Sequence, residues 1–298
     1  MSRRGAEDAE KGETTKRRSD ETTKRPFSLT IPITRTPITE TRPMYLSTST
    51  WQEVERYLER STGILIPIGS HEQHGPNGFV GTDALCPEIV ARGVAEKLDV
   101  LVGPTQSIGM AQHHLGFPGS ITLRPSTLVA VIRDTVQSLA IHGFTHIYFL
   151  NGHGGNINTV NAAFAEVHSE ISLGHWPEKY SGLAMKMGNW FAGRRVRELG
   201  QKLYGEADGS HATASEVSLT YYGYPEHVKN VKMTPTIAPE GPIRDATDFR
   251  TRHPDGRMGS DPTLANPQDG KRLFEASVED VVEEYRGFTR NDKATKRQ

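Results

Sequence analysis

From residue 63 onward, short apolar runs alternate with helical patterns, and this alternation constrains the fold more than any other feature. GILIPIG, which ends at Gly69, is rich in isoleucine and has no polar interruption, as a strand buried on both faces requires. After a polar loop, Thr82 is placed to cap a helix over DALCPEIVARGVAEKL. Pro87 falls in its first turn, where a missing N–H does little harm. DVLVGP reads as a second strand. PSTLVAVIRDTVQSLAIHG reads as a helix capped at Ser126 or Thr127 and stopped at Gly143. THIYFLNG is a third strand, and NINTVNAAFAEVHSEI is the helix behind it, with Asn156 as its expected cap. Repeats of this kind predict an α/β protein with three α/β/α layers, a mostly parallel central sheet and a single domain.

Beyond residue 176 the rhythm loosens. SGLAMKMGNW fits a strand, HATASEVSLTYYG a helix and VKMTPTIAP an extended segment. DFRTRHPDGRMGSDPTLANPQDG is a long Gly/Pro/Asp-rich loop, a kind that often carries function. In GKRLFEASVEDVVEEYRGF, Leu273, Phe274, Val278, Val281, Val282 and Tyr285 recur at helical spacing. Residues 1–40 are charged and repetitive, too poor in apolar side chains to repay ordering, and are expected to be a disordered tail. The folded domain is expected over 41–288, with a second loose tail over 289–298.

The 298 residues carry a formal net charge of -1, which gives no electrostatic reason for a nucleic acid or an anionic membrane as partner. Cys86 is the only cysteine, so no disulfide framework exists, and a reducing, cytoplasmic setting is expected. No apolar run is long enough to span a bilayer, and the N-terminal segment lacks the apolar core of a secretory signal.

Ligands of open parallel sheets bind beyond the carboxyl ends of the strands. Two glycine-rich clusters fall there, GSHEQHG after the first strand and NGHGGN after the third. Glu72 and His74 are two apart, so on an extended chain both side chains point to one side. Asp83 opens the next helix, where its two oxygens could bridge a pair of cations or simply complement the helix dipole. His153 would add a nitrogen from the neighbouring strand end. Nitrogen and oxygen donors without thiolate suit zinc, manganese or iron(II). NGHGG could instead cradle phosphate, although it has neither the lysine of a P-loop nor the spacing of a dinucleotide fingerprint.

Four segments in this order, LIPIGSHEQHGPNGFVGTD, HHLGFPGSITL, HGFTHIYFLNGHGGN and DGSHATASEVS, resemble the creatininase family, and MGSDPTLANPQDGKRL resembles its late Gly-Asp-Pro segment. The resemblance spans about residues 45 to 287. It implies a two-metal amidohydrolase of small molecules, assembled as a homo-oligomer, often a hexamer. On matching positions, Glu72 and His153 would hold one divalent ion and His74 the other; Asp83 would bridge them, and Glu216 would complete the second site. His211 would orient substrate or protonate the leaving nitrogen, with Asp208 placed to hold its tautomer or to act as a turn residue before Gly209. His114 and Ser120 resemble positions that line the substrate pocket, although Ser120 also fits a structural turn. Met110, Trp190 and Tyr221 fit the core better than the pocket, and Cys86 reads as a small buried hydrophobe.

The implied reaction is attack by a metal-bridging hydroxide on the carbonyl of a non-peptide amide, cyclic or formyl. An inosose-type cyclic ketone and a non-catalytic metal-binding scaffold are the alternatives. The chain departs from many family members at Asn77, Gly78 and Phe79, which replace His-Leu-Pro, and within HATASEVS. Gly154 and Gly155 stand where creatinine hydrolases resemble one another in carrying Tyr-Glu, which weighs against creatinine as substrate.

Overall fold

The computed structural model of the protein describes residues 43–295, with side chains described through Arg290. The tail expected over 1–40 lies outside the described residues. In chain order the elements are β1 (Met44–Tyr45), α1 (Trp51–Leu58), β2 (Gly63–Ile68), α2 (Thr82–Lys97), β3 (Leu101–Val102), α3 (Pro125–Ile141), β4 (His146–Asn151), α4 (Ile157–Ser172), β5 (Ala184–Asn189), α5 (Arg194–Tyr204), α6 (Ala214–Gly223), α7 (Ala246–Arg252) and α8 (Pro267–Thr295). All strand pairs are parallel, in the order β1-β3-β2-β4-β5. Among the described residues no helix is long and apolar enough to cross a membrane.

Strand alternation divides the core into two. Ile64, Ile66 and Ile68 of β2 join Ile147 and Phe149 of β4 beneath α1, α3 and α4. Leu65, Tyr148 and Leu150 face the other way, onto α2, α5, α6 and α8. This is the three-layer α/β/α arrangement that the apolar runs predict. Pro67 sits in the central strand, where proline is normally excluded. Its carbonyl accepts from Gln106 toward the β3 side. Because β3 ends at Val102, the donor that Pro67 lacks has no ladder partner to miss there.

From β2 the chain steps one way to β3, then crosses back to β4 and on to β5. The carboxyl ends of β2 and β4 therefore lie side by side where the winding reverses, the place for a ligand crevice in such sheets.

Several local expectations differ from the structure. The N-cap of α3 is Arg124, held extended by the following Pro125, and not Ser126 or Thr127. Thr82 lies inside α2, and its hydroxyl donates back to the Phe79 carbonyl. The late loop contains α7. The loose tail expected from 289 instead begins in helix, since α8 runs to Thr295. Asn156 makes no capping bond. It accepts from Met110 N and donates to Gly69 O, stitching together the loops that follow β2, β3 and β4.

Candidate metal centre

The first turn of α2 is driven into the gap between β2 and β4. A Cβ on Gly69 would lie 2.0 Å from the Asp83 carbonyl oxygen, and one on Gly152 would lie 2.1 Å from it. Each strand must therefore be followed by glycine for the Asp83 backbone to fit. The Asp83 carboxylate then lies at a helix start, where the dipole favours it, with His74 at one oxygen and His153 at the other.

Glu216 comes from a different part of the chain. Ala212 takes a left-handed φ of 54°, unusual for a residue with a side chain, and turns the chain into α6. Thr213 caps that helix and closes a capping box with Glu216. Glu216 Oε1 accepts from Thr213 N at 2.6 Å, which leaves Oε2 facing His74 Nε2 at 3.8 Å.

The centre is nearly dry: Glu72 and His74 are 1% exposed, Asp83 3% and His153 5%. Asp83 Oδ1 lies 3.1 Å from His74 Nε2, and Oδ2 lies 3.0 Å from His153 Nδ1. Glu72 Oε2 is 3.2 Å from His153 Nε2 and Oε1 is 3.0 Å from His114 Nε2. Two three-residue groups share one carboxylate: Glu72–Asp83–His153 and His74–Asp83–Glu216. A third group, Glu72–His74–His211, overlaps both. Within each group the candidate donor atoms lie within 4.8 Å of one another.

The hydrogen-bond network turns the rings. His74 Nδ1 meets Glu72 O at 3.0 Å, His153 Nε2 meets Met110 O at 2.9 Å and His211 Nε2 meets Gln73 O at 2.8 Å. A carbonyl only accepts, so each of these nitrogens carries a proton and the other nitrogen is the one turned to the carboxylates. Metal-binding histidines are oriented in this way.

Burial raises the Glu72 carboxyl against the pull of His153. Glu216 is raised by burial to about 7, with His74 resisting and Asp83 adding to the rise. Burial alone would depress His74, but Asp83, Glu216 and Glu72 lift it to about 10. His153 is likewise lifted to about 9 by Glu72 and Asp83. Burial would also raise Asp83, yet His74 and His153 hold it well below the usual carboxylate range. His114 and His211 go well below ordinary imidazole through burial and the neighbouring imidazoles. Two buried carboxylates and the half-buried Glu216 thus demand positive charge. Glu72 Oε2 and Asp83 Oδ2 are buried without a hydrogen bond: the His153 nitrogens approach them but at angles that make none. Divalent cations would satisfy both the charge and the two orphaned oxygens.

A cavity of about 1010 Å³ opens onto this centre, and His114, Asp208 and His211 contribute to its lining. Of the residues named from sequence, Glu72, His74, Asp83, His153, Glu216 and His211 converge. His114 touches the cluster through Glu72. Asp208 does not hold His211; its carboxylate accepts from Ser215 N and Oγ at the start of α6. Ser120 Oγ accepts from Gln73 N at 3.2 Å and supports the loop. Gln73 and the Met110 carbonyl were missed. The one available signal was that Gln73, between two residues pointing inward, must point the other way.

The family model described as creatinine amidohydrolase matches residues 47–285. The chain is 26% identical to the creatinine amidohydrolase of Pseudomonas putida over 266 residues, 82% of this chain and 97% of that one. It is 27% identical to the mycofactocin precursor peptide peptidase of Mycobacterium ulcerans over 242 residues, 76% and 85% of the two chains. Its fold matches a mutant creatininase of Zn–Zn type with a TM-score of 0.71 at 23% identity, covering 82% of this chain and 97% of that one. A manganese creatininase gives a TM-score of 0.71 at 24% identity, with 82% and 98% covered. With its family model matched over most of its length and its sheet wound as in the solved members, this chain belongs to the creatininase family.

Proposed function

We propose that the protein is a dinuclear metal hydrolase that cleaves a non-peptide amide, cyclic or formyl, of a small molecule. The observation that supports this most directly is the shared carboxylate, with Asp83 Oδ1 turned to His74 and Oδ2 to His153. Glu72, Asp83 and His153 would hold one ion, and His74, Asp83 and Glu216 the other. The donor chemistry suits zinc, manganese or iron(II), and the solved relatives include zinc and manganese forms. When bound, such a pair lowers the pKa of water and polarises a carbonyl.

The chain's own groups do the rest. His211 turns its bare Nδ1 toward the centre, 3.8 Å from Glu72 Oε1, where it can take a proton and return it to the leaving nitrogen. Burial and the neighbouring His74 and His114 keep this imidazole neutral. His114 Nε2 lies 3.0 Å from Glu72 Oε1 and would help to place that carboxylate. The protein would work as a homo-oligomer, a hexamer by family resemblance, which sedimentation of the full chain checks.

A second reading, cleavage of a peptide amide, is favoured by the size of the cavity, about 1010 Å³, and by the peptidase relative. The test is metal analysis of the purified protein together with turnover of lactams, formamides, short peptides and an inosose. Turnover of a lactam or formamide that chelation abolishes and metal restores is the expected result. Cleavage of peptides alone would favour the second reading. Two tightly held ions with no turnover of any substrate would leave a binding scaffold.

A further inference from the structure

We propose that Gln73 is a positioning residue that makes two neighbouring imidazoles present unlike atoms to the centre: an N–H from His114 and a bare nitrogen from His211. This rests on the dinuclear reading above. Gln73 lies between Glu72 and His74 on the face turned away from the carboxylates, and is 6% exposed. Its Oε1 accepts from Gly75 N at 2.8 Å, which fixes which end of the amide is oxygen. Its Nε2 lies 2.9 Å from Gly256 O, 3.1 Å from His114 Nδ1 and 2.9 Å from His211 Nε2.

An amide nitrogen has two protons for these three neighbours. The Gly256 carbonyl can only accept, so it takes one. His211 Nε2 also faces the main-chain carbonyl of Gln73 at 2.8 Å, and that carbonyl can only accept. His211 Nε2 therefore carries a proton and cannot receive a second from the amide. The remaining amide proton goes to His114 Nδ1. His114 then bears its hydrogen on Nε2, the nitrogen that lies 3.0 Å from Glu72 Oε1. His211 keeps Nδ1 bare, 3.8 Å from the same oxygen. One residue thus assigns unlike roles through two groups: its main chain takes the hydrogen of His211, and its side chain gives one to His114.

Gln73 also registers the late Gly/Pro-rich loop against the centre. Gly256 has a φ of +85°, and a Cβ there would lie 1.8 Å from Gln73 Oε1, so the loop can approach only as glycine.

The test reads ring protonation directly. Histidine-labelled full-length protein is studied by long-range ¹H–¹⁵N correlation with and without zinc, and the rings are assigned by the peaks lost in His114→Ala and His211→Ala. The expected wild-type spectrum has both rings protonated at Nε2 only. Gln73→Glu offers acceptors alone, so His114 should move to the Nδ1–H form or the doubly protonated form while His211 stays unchanged. Gln73→Leu should leave His114 a mixture. With an active substrate, both variants should lose about 10- to 100-fold in kcat with KM and zinc content near wild type. A wild-type spectrum with either ring protonated at Nδ1, or a His114 signal indifferent to Gln73→Glu, overturns the proposal. If the variants fail to fold, the wild-type spectrum alone decides. No substrate enters that reading, so an absence of zinc binding or turnover would count against the hydrolase and not against Gln73.

Discussion

Adding two zinc ions to the metal-free protein at pH 7 should expel at least two protons. His74, lifted to about 10 by Asp83, Glu216 and Glu72 against burial, is protonated at that pH. So is His153, at about 9 between Glu72 and Asp83. Glu216, near 7, is half protonated, whereas Asp83 has no proton to lose. Ligation needs bare imidazole nitrogens and ionised carboxylates, so the two imidazolium protons, about half of one from Glu216 and any proton that burial holds on Glu72 must leave. The combined affinity for two ions should then rise by at least about 100-fold per pH unit near neutrality and level off above pH 10. Titration calorimetry in buffers of unlike ionisation enthalpy counts the protons from the slope of apparent heat against buffer heat. Release of fewer than one proton, or an affinity flat between pH 6 and 9, would refute the reasoning: the ions would then bind somewhere other than between these imidazoles and carboxylates.

The metal-free protein should also lose stability as pH climbs. The folded pKa values of His74 and His153 lie above the ordinary imidazole value, so their contribution is complete below about 6.5 and is lost as pH rises through 9 and 10. Scanning calorimetry should show Tm falling over that window for chelated protein and not for loaded protein. Asp83→Asn removes the shared carboxylate and should weaken both ions by more than about 100-fold, the upper end of what a lost outer partner costs, as competition with a fluorescent chelator will show. Asp208→Asn should leave metal content unchanged and cost only about 1 kcal/mol, because that carboxylate serves the first turn of α6; a drop in bound metal would contradict this. His114→Ala should weaken the ion held by Glu72 by about 10- to 100-fold; a change in KM alone would instead mark His114 as a substrate contact.

What could be read from the sequence follows from where each side chain is carried. Glu72, His74 and His153 ride on strand ends, and both strands announce themselves because they are buried on each face. Asp83 and Glu216 open helices, and the Thr213–Glu216 pair is a legible capping box. Of the two roles open to Asp208, the turn before Gly209 holds and the contact with His211 does not, because the chain reverses at Ala212 and brings Ser215 to the carboxylate. Helix α5 escaped notice because its highly charged sequence buries only Val196, Gly200 and Tyr204. The carbonyls of Met110 and Gln73 were beyond reach for a different reason. A main-chain acceptor carries no residue identity, so nothing in the sequence marks where a histidine will place its second nitrogen.

Those carbonyls also explain how a buried cluster this rich in charge keeps its shape. His74, His153 and His211 are each held through one ring nitrogen to a main-chain carbonyl, Glu72 O, Met110 O and Gln73 O in turn, with the other nitrogen turned to a carboxylate. The near nitrogens therefore have little rotational freedom to spend when a cation arrives. Backbone at the strand ends is itself fixed, since the Asp83 carbonyl fills the gap that Gly69 and Gly152 leave open. A methyl at either glycine would have to push α2 outward and draw Asp83 away from both imidazoles at once. The same close approach that seats α2 on the sheet thus sets the distance between the two halves of the site, and the chemistry depends on the packing at that point.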